Sequence, residues 1–297
     1  MIKRTLYLGN PAYVKVENAQ LVIVTKTSVN EKKIIRPVED IGVILLDNNQ
    51  ITITHYAIKA LMKNKVALIS CDAHHMPASL MLPLEGHTQQ SEKYRFQIDA
   101  SVPLKKKLWQ QTVKAKIENQ KIVLEKLNKP ADRLKVLLAR VQSGDAENIE
   151  AQAAAYYWPT LLEDFIRDRY GEPPNNLLNY GYAIVRSMIA RSLVSSGLLP
   201  TLGIHHKNKY NAYCLADDIM EPYRPFIDII CHDMFVNKGM ESFLSKSSKA
   251  QLLSIATVDG QFGINKRPLM VGMAYTTASL AACFQGEKRK INYPILI

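Results

Sequence analysis

From Lys3 to about Leu84, short runs of β-branched and aliphatic residues alternate with polar clusters. This pattern predicts strands at Thr5–Leu8, Tyr13–Val16, Gln20–Thr25, Ile41–Leu46 and Val66–Ser70. Glu17-Asn18-Ala19 and Asp47-Asn48-Asn49-Gln50 supply turns between them. One interruption is helical: Thr54 can cap a short segment in which Ala57, Ile58, Leu61 and Met62 recur at helical spacing, ending near Asn64. The stretch Pro83–Ser91 breaks both periods, so the domain join is expected there, with 87–100 as linker. After Ser101-Val102-Pro103 the period becomes helical, and Leu104, Leu108, Ile117, Leu124 and Leu127 form the stripe of a long helix that Pro130 stops.

Shorter helices are predicted over Ala131–Gln142, over Ala146–Trp158 behind an Asp145 cap, from Asn176 to Gly197, over Phe226–Phe235, Ser242–Thr257 and Leu269–Phe284. Glu287–Tyr293 reads as a basic tail. The fold class expected is α+β: a small β-rich N-terminal domain with one short helix (1–86), then a larger all-α C-terminal domain (101–297).

Composition narrows this picture. With 47% hydrophobic and 22% charged residues, the chain suits a soluble globular protein. An excess of 38 Lys and Arg over 27 Asp and Glu gives a net charge of +11, which favours polyanionic partners or simply solubility. Lys105, Lys106, Lys107, Lys114, Lys116 and Lys121 on the long helix either track phosphates or form an ordinary solvated face. The four cysteines are widely spaced with no Cys-x-x-Cys pair, which argues against a zinc ribbon or a disulfide framework and for reduced thiols in a cytosol. The amino terminus lacks the apolar run of a secretory signal and no window approaches the apolar length of a membrane span, so a cytoplasmic protein without a membrane partner is expected.

The densest chemistry lies between Gly203 and Pro225. His205 and His206 follow a turn fixed by Pro200 and Gly203, and Asp217, Asp218 and Glu221 come soon after. Nitrogen and oxygen ligands for a hard or borderline divalent metal are thus available together. Three acids in about one turn repel, so a bound cation or Arg224 is called for. Pro222 either kinks the helix or starts a new one.

Upstream, Glu150 shares a helical face with Ala153, Ala154, Tyr157 and Leu161, which predicts a carboxylate turned toward the core. Such a group needs a metal, several donors, or a cation such as Arg186 or Arg191. His55, His74, His75 and His87 read as structural or surface residues, and Asp228 and His232 as a solvated or paired surface. Glu on one helix, His after a rigid turn and acids on another element suggest divalent-metal chemistry on a phosphodiester, although spacing does not bring Glu150 and His206 together.

Three segments carry a resemblance. Glu150-Ala151-Gln152-Ala153-Ala154-Ala155-Tyr156-Tyr157-Trp158, Gly197-Leu198-Leu199-Pro200 with Gly203-Ile204-His205-His206, and Leu215–Pro225 resemble, in order and spacing, the motifs of the CRISPR-associated spacer-acquisition integrase family. The likeness spans essentially the whole chain, and His-His-Lys-Asn-Lys-Tyr-Asn-Ala is most similar to members from type II systems. Ala151 stands where many relatives have glycine.

The resemblance implies that Glu150, His206 and Glu221 are the catalytic, metal-binding residues, with Asp218 at an additional acidic position. Lys207, Lys209 and Arg224 are the candidate DNA contacts beside them. It further implies a Mg²⁺ or Mn²⁺ cofactor and transesterification, in which the 3′-hydroxyls of a captured DNA fragment attack phosphodiesters of a CRISPR repeat. The implied partners are double-stranded DNA, a second copy in a homodimer, a central dimer of a small second adaptation subunit between two homodimers, and the type II RNA-guided effector nuclease. The β-rich domain would then be the dimerisation and partner surface. Two other readings use the same residues: a metal-dependent nuclease for branched or single-stranded DNA, and a DNA-bridging scaffold whose acids and histidines are structural. The helix bearing Glu150 is expected to pack directly over 203–225.

Overall fold

The computed structural model describes residues 3–26, 31–237 and 244–297, and the chain forms two units, Met1–Gly86 and His87–Ile297. In the first, strands β1 (Arg4–Leu8), β2 (Ala12–Glu17), β3 (Gln20–Lys26), β4 (Glu31–Pro37), β5 (Ile41–Leu46) and β6 (Ile51–Ile53) precede helix α1 (His55–Lys63), followed by β7 (Ala67–Cys71) and β8 (Pro77–Met81). They make two four-stranded sheets, ordered β1-β5-β7-β8 and β4-β3-β2-β6. Strand β5 runs parallel between β1 and β7, and a strand covered on both faces needs the unbroken apolar run Ile-Gly-Val-Ile-Leu-Leu. In β2, by contrast, Ala12, Val14 and Val16 are buried while Tyr13 and Glu17 face outward. Ala57 and Leu61 of α1 close the same core against Val14, Leu21, Ile23, Ile41 and Ile44. Thr54 Oγ1 accepts from Ala57 N at 3.2 Å and Asn64 ends the helix, both as the sequence predicts.

The second unit holds helices α2 (Gln90–Ile98), α3 (Val102–Lys126), α4 (Asp132–Arg140), α5 (Ile149–Leu161), α6 (Asn175–Ser195), α7 (Cys214–Met220), α8 (Arg224–His232), α9 (Lys246–Leu253) and α10 (Leu269–Phe284). The stretch expected to be a linker therefore contains a helix of this unit. Gln97 of α2 is buried, donates to the Leu199 and Leu202 carbonyls, and accepts from Leu199 N, which ties α2 to the turn before the histidines. The helix escaped the sequence pattern because it has almost no apolar face and its main anchor is an amide.

Nor is the unit all-α. Strands β9 (Asp259–Phe262), β10 (Asn265–Pro268) and β11 (Ile295–Leu296) form a small antiparallel sheet in the order β10-β9-β11. The tail is accordingly folded back. Asn119 of α3 donates to the Pro294 carbonyl and accepts from Leu296 N at 3.0 Å each, and Thr112 meets the Tyr293 hydroxyl at 2.7 Å.

Helix α6 is buried around most of its circumference and packs against α7, α8, α9 and α10. Gly181 allows a close crossing with α8, since a Cβ there would lie 2.6 Å from Ile227. Of the helix expected over Ser242–Thr257, residues 242–243 lie outside the described residues. Its remainder is α9, capped by Ser245, and a tight turn at Ser254–Thr257.

Candidate catalytic site

The turn before α7 is built around one carboxylate. Asp218 is fully buried, and its Oδ2 accepts from Ile204 N at 2.7 Å and His205 N at 2.9 Å. Its Oδ1 accepts from His206 N at 3.2 Å and binds His206 Nδ1 at 2.5 Å. Three successive backbone N–H groups thus wrap the acid, a concave arrangement suited to an anion. Gly203 makes the wrap possible: a Cβ there would sit 2.4 Å from the His206 carbonyl oxygen and 2.8 Å from Asp218 Oδ2.

Asp218 therefore orients His206 and leaves its Nε2 as the outward nitrogen, the arrangement that prepares an imidazole for a metal ion. The hydrogen bond to Asp218 holds the His206 pKa above its ordinary value. Burial, with His206 beside it, pushes His205 below its own. Trp109 of α3 stacks flat on His205 at 4.1 Å and meets His206 edge-on at 5.7 Å, fixing both rings.

Glu221 follows α7 in a single tight turn, Glu221–Tyr223, through which the chain stays helical into α8 despite Pro222. Its carboxylate is buried, with Oε1 2.9 Å from Arg224 Nη2 and Oε2 2.6 Å from Lys116 Nζ. Burial alone would raise its pKa, but Arg224 and Lys116 outweigh burial and hold it below the usual carboxylate value. Asn119, one turn beyond Lys116, donates to the Pro222 carbonyl at 2.7 Å and fastens this turn to α3.

Glu150 enters from α5. Asp145 caps that helix with both oxygens, accepting from Ile149 N at 2.9 Å and Glu150 N at 3.0 Å. The Glu150 side chain is 28% exposed, less deeply turned inward than its helical face suggests, and its partner is Lys116. Neither arginine offered by the sequence takes that place: Arg186 instead forms a two-pronged pair with Asp217 at 2.6 and 2.9 Å. Glu147 pairs with Arg140 at 2.7 Å on the exposed side. Helix α5 packs chiefly on α3 and α4, so the expectation that it lies directly over 203–225 is corrected: α3 mediates, through Lys116.

Lys116 is buried, and although burial disfavours its charge, Glu221 and Glu150 hold its pKa above the ordinary lysine value. It belongs to neither the solvated face nor a phosphate-tracking face considered from the sequence. Trp109, Thr112, Lys116 and Asn119 form one buried, largely polar face of α3. That pattern, polar residues at the spacing of a core stripe, was the available signal for it.

Lys207 and Lys209 lie on the exposed loop after His206, with Lys209 Nζ 4.9 Å from the Tyr210 ring centre. Arg224 is engaged differently, with its guanidinium on Glu221 and 4.7 Å from the Tyr182 ring centre.

Behind Arg224, Asp228 corrects the expectation of a solvated or paired surface. It is buried and accepts from the Tyr182 hydroxyl and, at 3.0 Å, from the Tyr157 hydroxyl. Burial, opposed by those hydrogen bonds and by Arg224, pushes its pKa up to about 6. A carboxyl raised on folding favours the fold fully at low pH, and that contribution fades as pH climbs through 6. Asp228→Asn should therefore gain about 1 kcal/mol on the wild type between pH 5 and pH 7, measured by denaturant unfolding at both pH values. A constant difference would show that Asp228 is charged throughout that range.

The donor set suits a divalent ion. Two carboxylates share one cation, Glu221 Oε2 is buried without a directional hydrogen bond, and an imidazole nearby has its second nitrogen already oriented. Among the described residues no three His, Cys, Asp or Glu side chains form a closed cage, and the Lys116 ammonium lies between the two glutamates.

Comparison with known proteins bears on what such a site does. The family described as CRISPR associated protein Cas1 matches residues 6–257. The CRISPR-associated endonuclease Cas1 of Neisseria meningitidis serogroup C (strain 8013) is 34% identical over 269 residues, 90% of this chain and 86% of that protein. A CRISPR-associated endonuclease Cas1 of Pyrobaculum aerophilum is 26% identical, over 82% of this chain and 88% of its own. Among solved structures, a casposase bound to integration product aligns with TM-score 0.81 at 20% identity, covering 97% of this chain and 92% of the other. A Cas1 protein from Thermotoga maritima aligns with TM-score 0.74 at 17% identity, covering 96% and 98%. At these identities the structural matches speak for the fold. No helix among the described residues is long and apolar enough to cross a membrane.

Proposed function

The chain belongs to the Cas1 family of CRISPR-associated proteins, and from that premise we propose that it is a DNA endonuclease and integrase that inserts fragments of foreign DNA into a CRISPR array as new spacers. In this reaction a fragment 3′-hydroxyl attacks a repeat phosphodiester. A new P–O bond forms as the old one breaks, the repeat strand leaves with its 3′-oxygen, and the number of phosphodiesters is unchanged. No nucleotide hydrolysis is required.

The observation that carries the proposal is the meeting of Glu150 and Glu221 at one cation, beside a histidine held by a buried acid. Glu150, Glu221 and His206 Nε2 are the groups that would hold Mg²⁺ or Mn²⁺. When bound, such an ion supplies charge stabilisation at the phosphoryl group and the departing oxygen. Asp218 positions His206, and Arg224 positions Glu221 from its seat on Tyr182. Lys207 and Lys209 neutralise phosphates beside the site, and the net charge of +11 supports the holding of two duplexes. The protein acts as a homodimer, two of which flank a dimer of the small second adaptation subunit, with the type II effector nuclease joining during spacer selection.

The test combines the protein, its small partner, a short duplex with 3′-hydroxyl ends and a repeat-bearing plasmid under Mg²⁺ or Mn²⁺. Covalently joined fragment and plasmid are expected. Cleavage of branched or single-stranded DNA without joining would replace the integrase by a nuclease, and DNA binding with neither reaction would leave a scaffold.

A further inference from the structure

Among the buried charged groups of the second unit, Lys116 stands out because it occupies the gap between two acids assigned to metal binding. We propose that Lys116 is the resident cation of the site: its ammonium holds Glu150 and Glu221 together in the metal-free protein and competes with the divalent ion for them. The inference rests on the reading that these glutamates, with His206, hold a metal.

Its first support is position. Lys116 projects from the buried face of α3, between Trp109, which seats both histidines, and Asn119, which fastens the Pro222 carbonyl. The ammonium is thus delivered by the helix that organises the rest of the site. Among the described residues it forms ion pairs with Glu150 and Glu221, and a buried cation of this kind is held by anions or not at all.

The two cations on Glu221 also differ in kind. Arg224 reaches Oε1 from three residues away while resting on the Tyr182 ring, and is a fixed part of the scaffold. Lys116 reaches Oε2 at 2.6 Å from a separate helix and shares its ammonium with Glu150, so this contact is the one a metal ion held by both glutamates would replace. Charge makes replacement necessary. Two carboxylates against Lys116 and Arg224 are balanced, and a divalent ion added to that set would meet uncompensated positive charge at close range. Metal entry therefore expels the ammonium from the gap. The exchange keeps the two glutamates from repelling each other in the free protein and weakens metal binding relative to a site without the lysine.

The measurement is Mn²⁺ binding to the full chain by calorimetry, with thermal unfolding with and without Mn²⁺, for wild type, Lys116→Met, Lys116→Gln and Lys116→Arg. The methionine and glutamine variants should melt lower without metal, bind Mn²⁺ at least about tenfold more tightly, and gain more melting temperature from it than wild type. The arginine variant keeps the charge and should not gain affinity. Should Lys116→Met fold only in Mn²⁺, that rescue is the expected exchange in its extreme form. Equal or weaker binding by both neutral variants, or equal tightening by Lys116→Arg, overturns the proposal. Glu150→Gln separates this failure from that of the underlying reading: if it binds Mn²⁺ as wild type does, the metal assignment itself fails, and if it loses binding while Lys116→Gln is unchanged, only the role of Lys116 does.

Discussion

Glu150→Gln is expected to lower strand joining by about 10³-fold or more while the protein stays folded and still binds DNA. Glutamine keeps the shape and one acceptor oxygen but removes the negative charge from the gap that Lys116 now bridges. Losing one carboxylate of a metal set removes several kcal/mol of charge stabilisation at the phosphoryl group, which sets the size of the effect. The cost to folding is small by comparison. Glu150 is 28% exposed, Asp145 still caps α5 through backbone N–H groups that the substitution leaves alone, and Lys116 keeps Glu221. About 2 kcal/mol of stability should be lost, because the buried Lys116 then keeps Glu221 as its one counter-charge in the gap. Joining assays beside melting curves and a DNA-binding titration check all three parts. Joining within tenfold of wild type would remove Glu150 from the site, and loss of joining in step with the folded fraction would return the acids to a structural role.

Local chemistry made parts of this fold legible. The α1 helix could be read end to end because Thr54 and Asn64 mark it by their own hydrogen bonding, and β5 because a strand buried on both faces has no polar residue to spare. What could not be read depends on long-range pairing. Strand β4, Glu-Lys-Lys-Ile-Ile-Arg-Pro, is an exposed sheet edge whose charges resemble those of a loop, and β8, Pro-Ala-Ser-Leu-Met, is an uncharged edge that opens on a proline and buries none of its residues fully. Strand β11 exists only because Ile295 and Leu296 meet Gln261 and Gly260 far back in the chain.

The candidate site divides along the same line. The 203–225 segment announces itself because its turn, histidines and acids are neighbours, and the order of motifs places Glu150 upstream. Lys116 and Asn119 have no such neighbours; only their helical spacing with Trp109 and Thr112 marks them, and a lysine among the lysines of α3 looks solvated until α5 and the Glu221 turn are packed on either side of it. Asp228 was misread for a related reason: the hydroxyls that satisfy it come from Tyr157 and Tyr182, on two other helices. Asp218 shows the converse. Its acidity is visible in the sequence, but its direction, inward onto three backbone N–H groups and His206 Nδ1, is set by the Gly203 turn.

That direction gives Asp218→Asn the second large effect, a loss of joining of about 10²-fold or more at matched folded fraction. Both carboxylate oxygens are committed as acceptors, whereas an amide offers one acceptor and one donor. If the amide oxygen keeps Ile204 N and His205 N, the amide nitrogen faces His206 Nδ1. The ring must then accept there, which moves its proton to Nε2 and blocks the nitrogen that a metal would use. If the amide is reversed, its donor opposes two backbone N–H groups and the turn opens. Either arrangement leaves at least one buried donor unsatisfied, so about 2 kcal/mol of stability should be lost as well. Stability alone therefore cannot identify the role, and His206 itself supplies the discriminating readout. The Asp218 hydrogen bond holds its pKa above the ordinary value, so in Asp218→Asn the His206 titration followed by NMR should move to lower pH. A wild-type His206 titration together with wild-type joining by the folded fraction would show that Asp218 shapes the turn without orienting the histidine. A downward shift accompanied by weaker Mn²⁺ binding would identify it as the group that sets which imidazole nitrogen faces the phosphodiester.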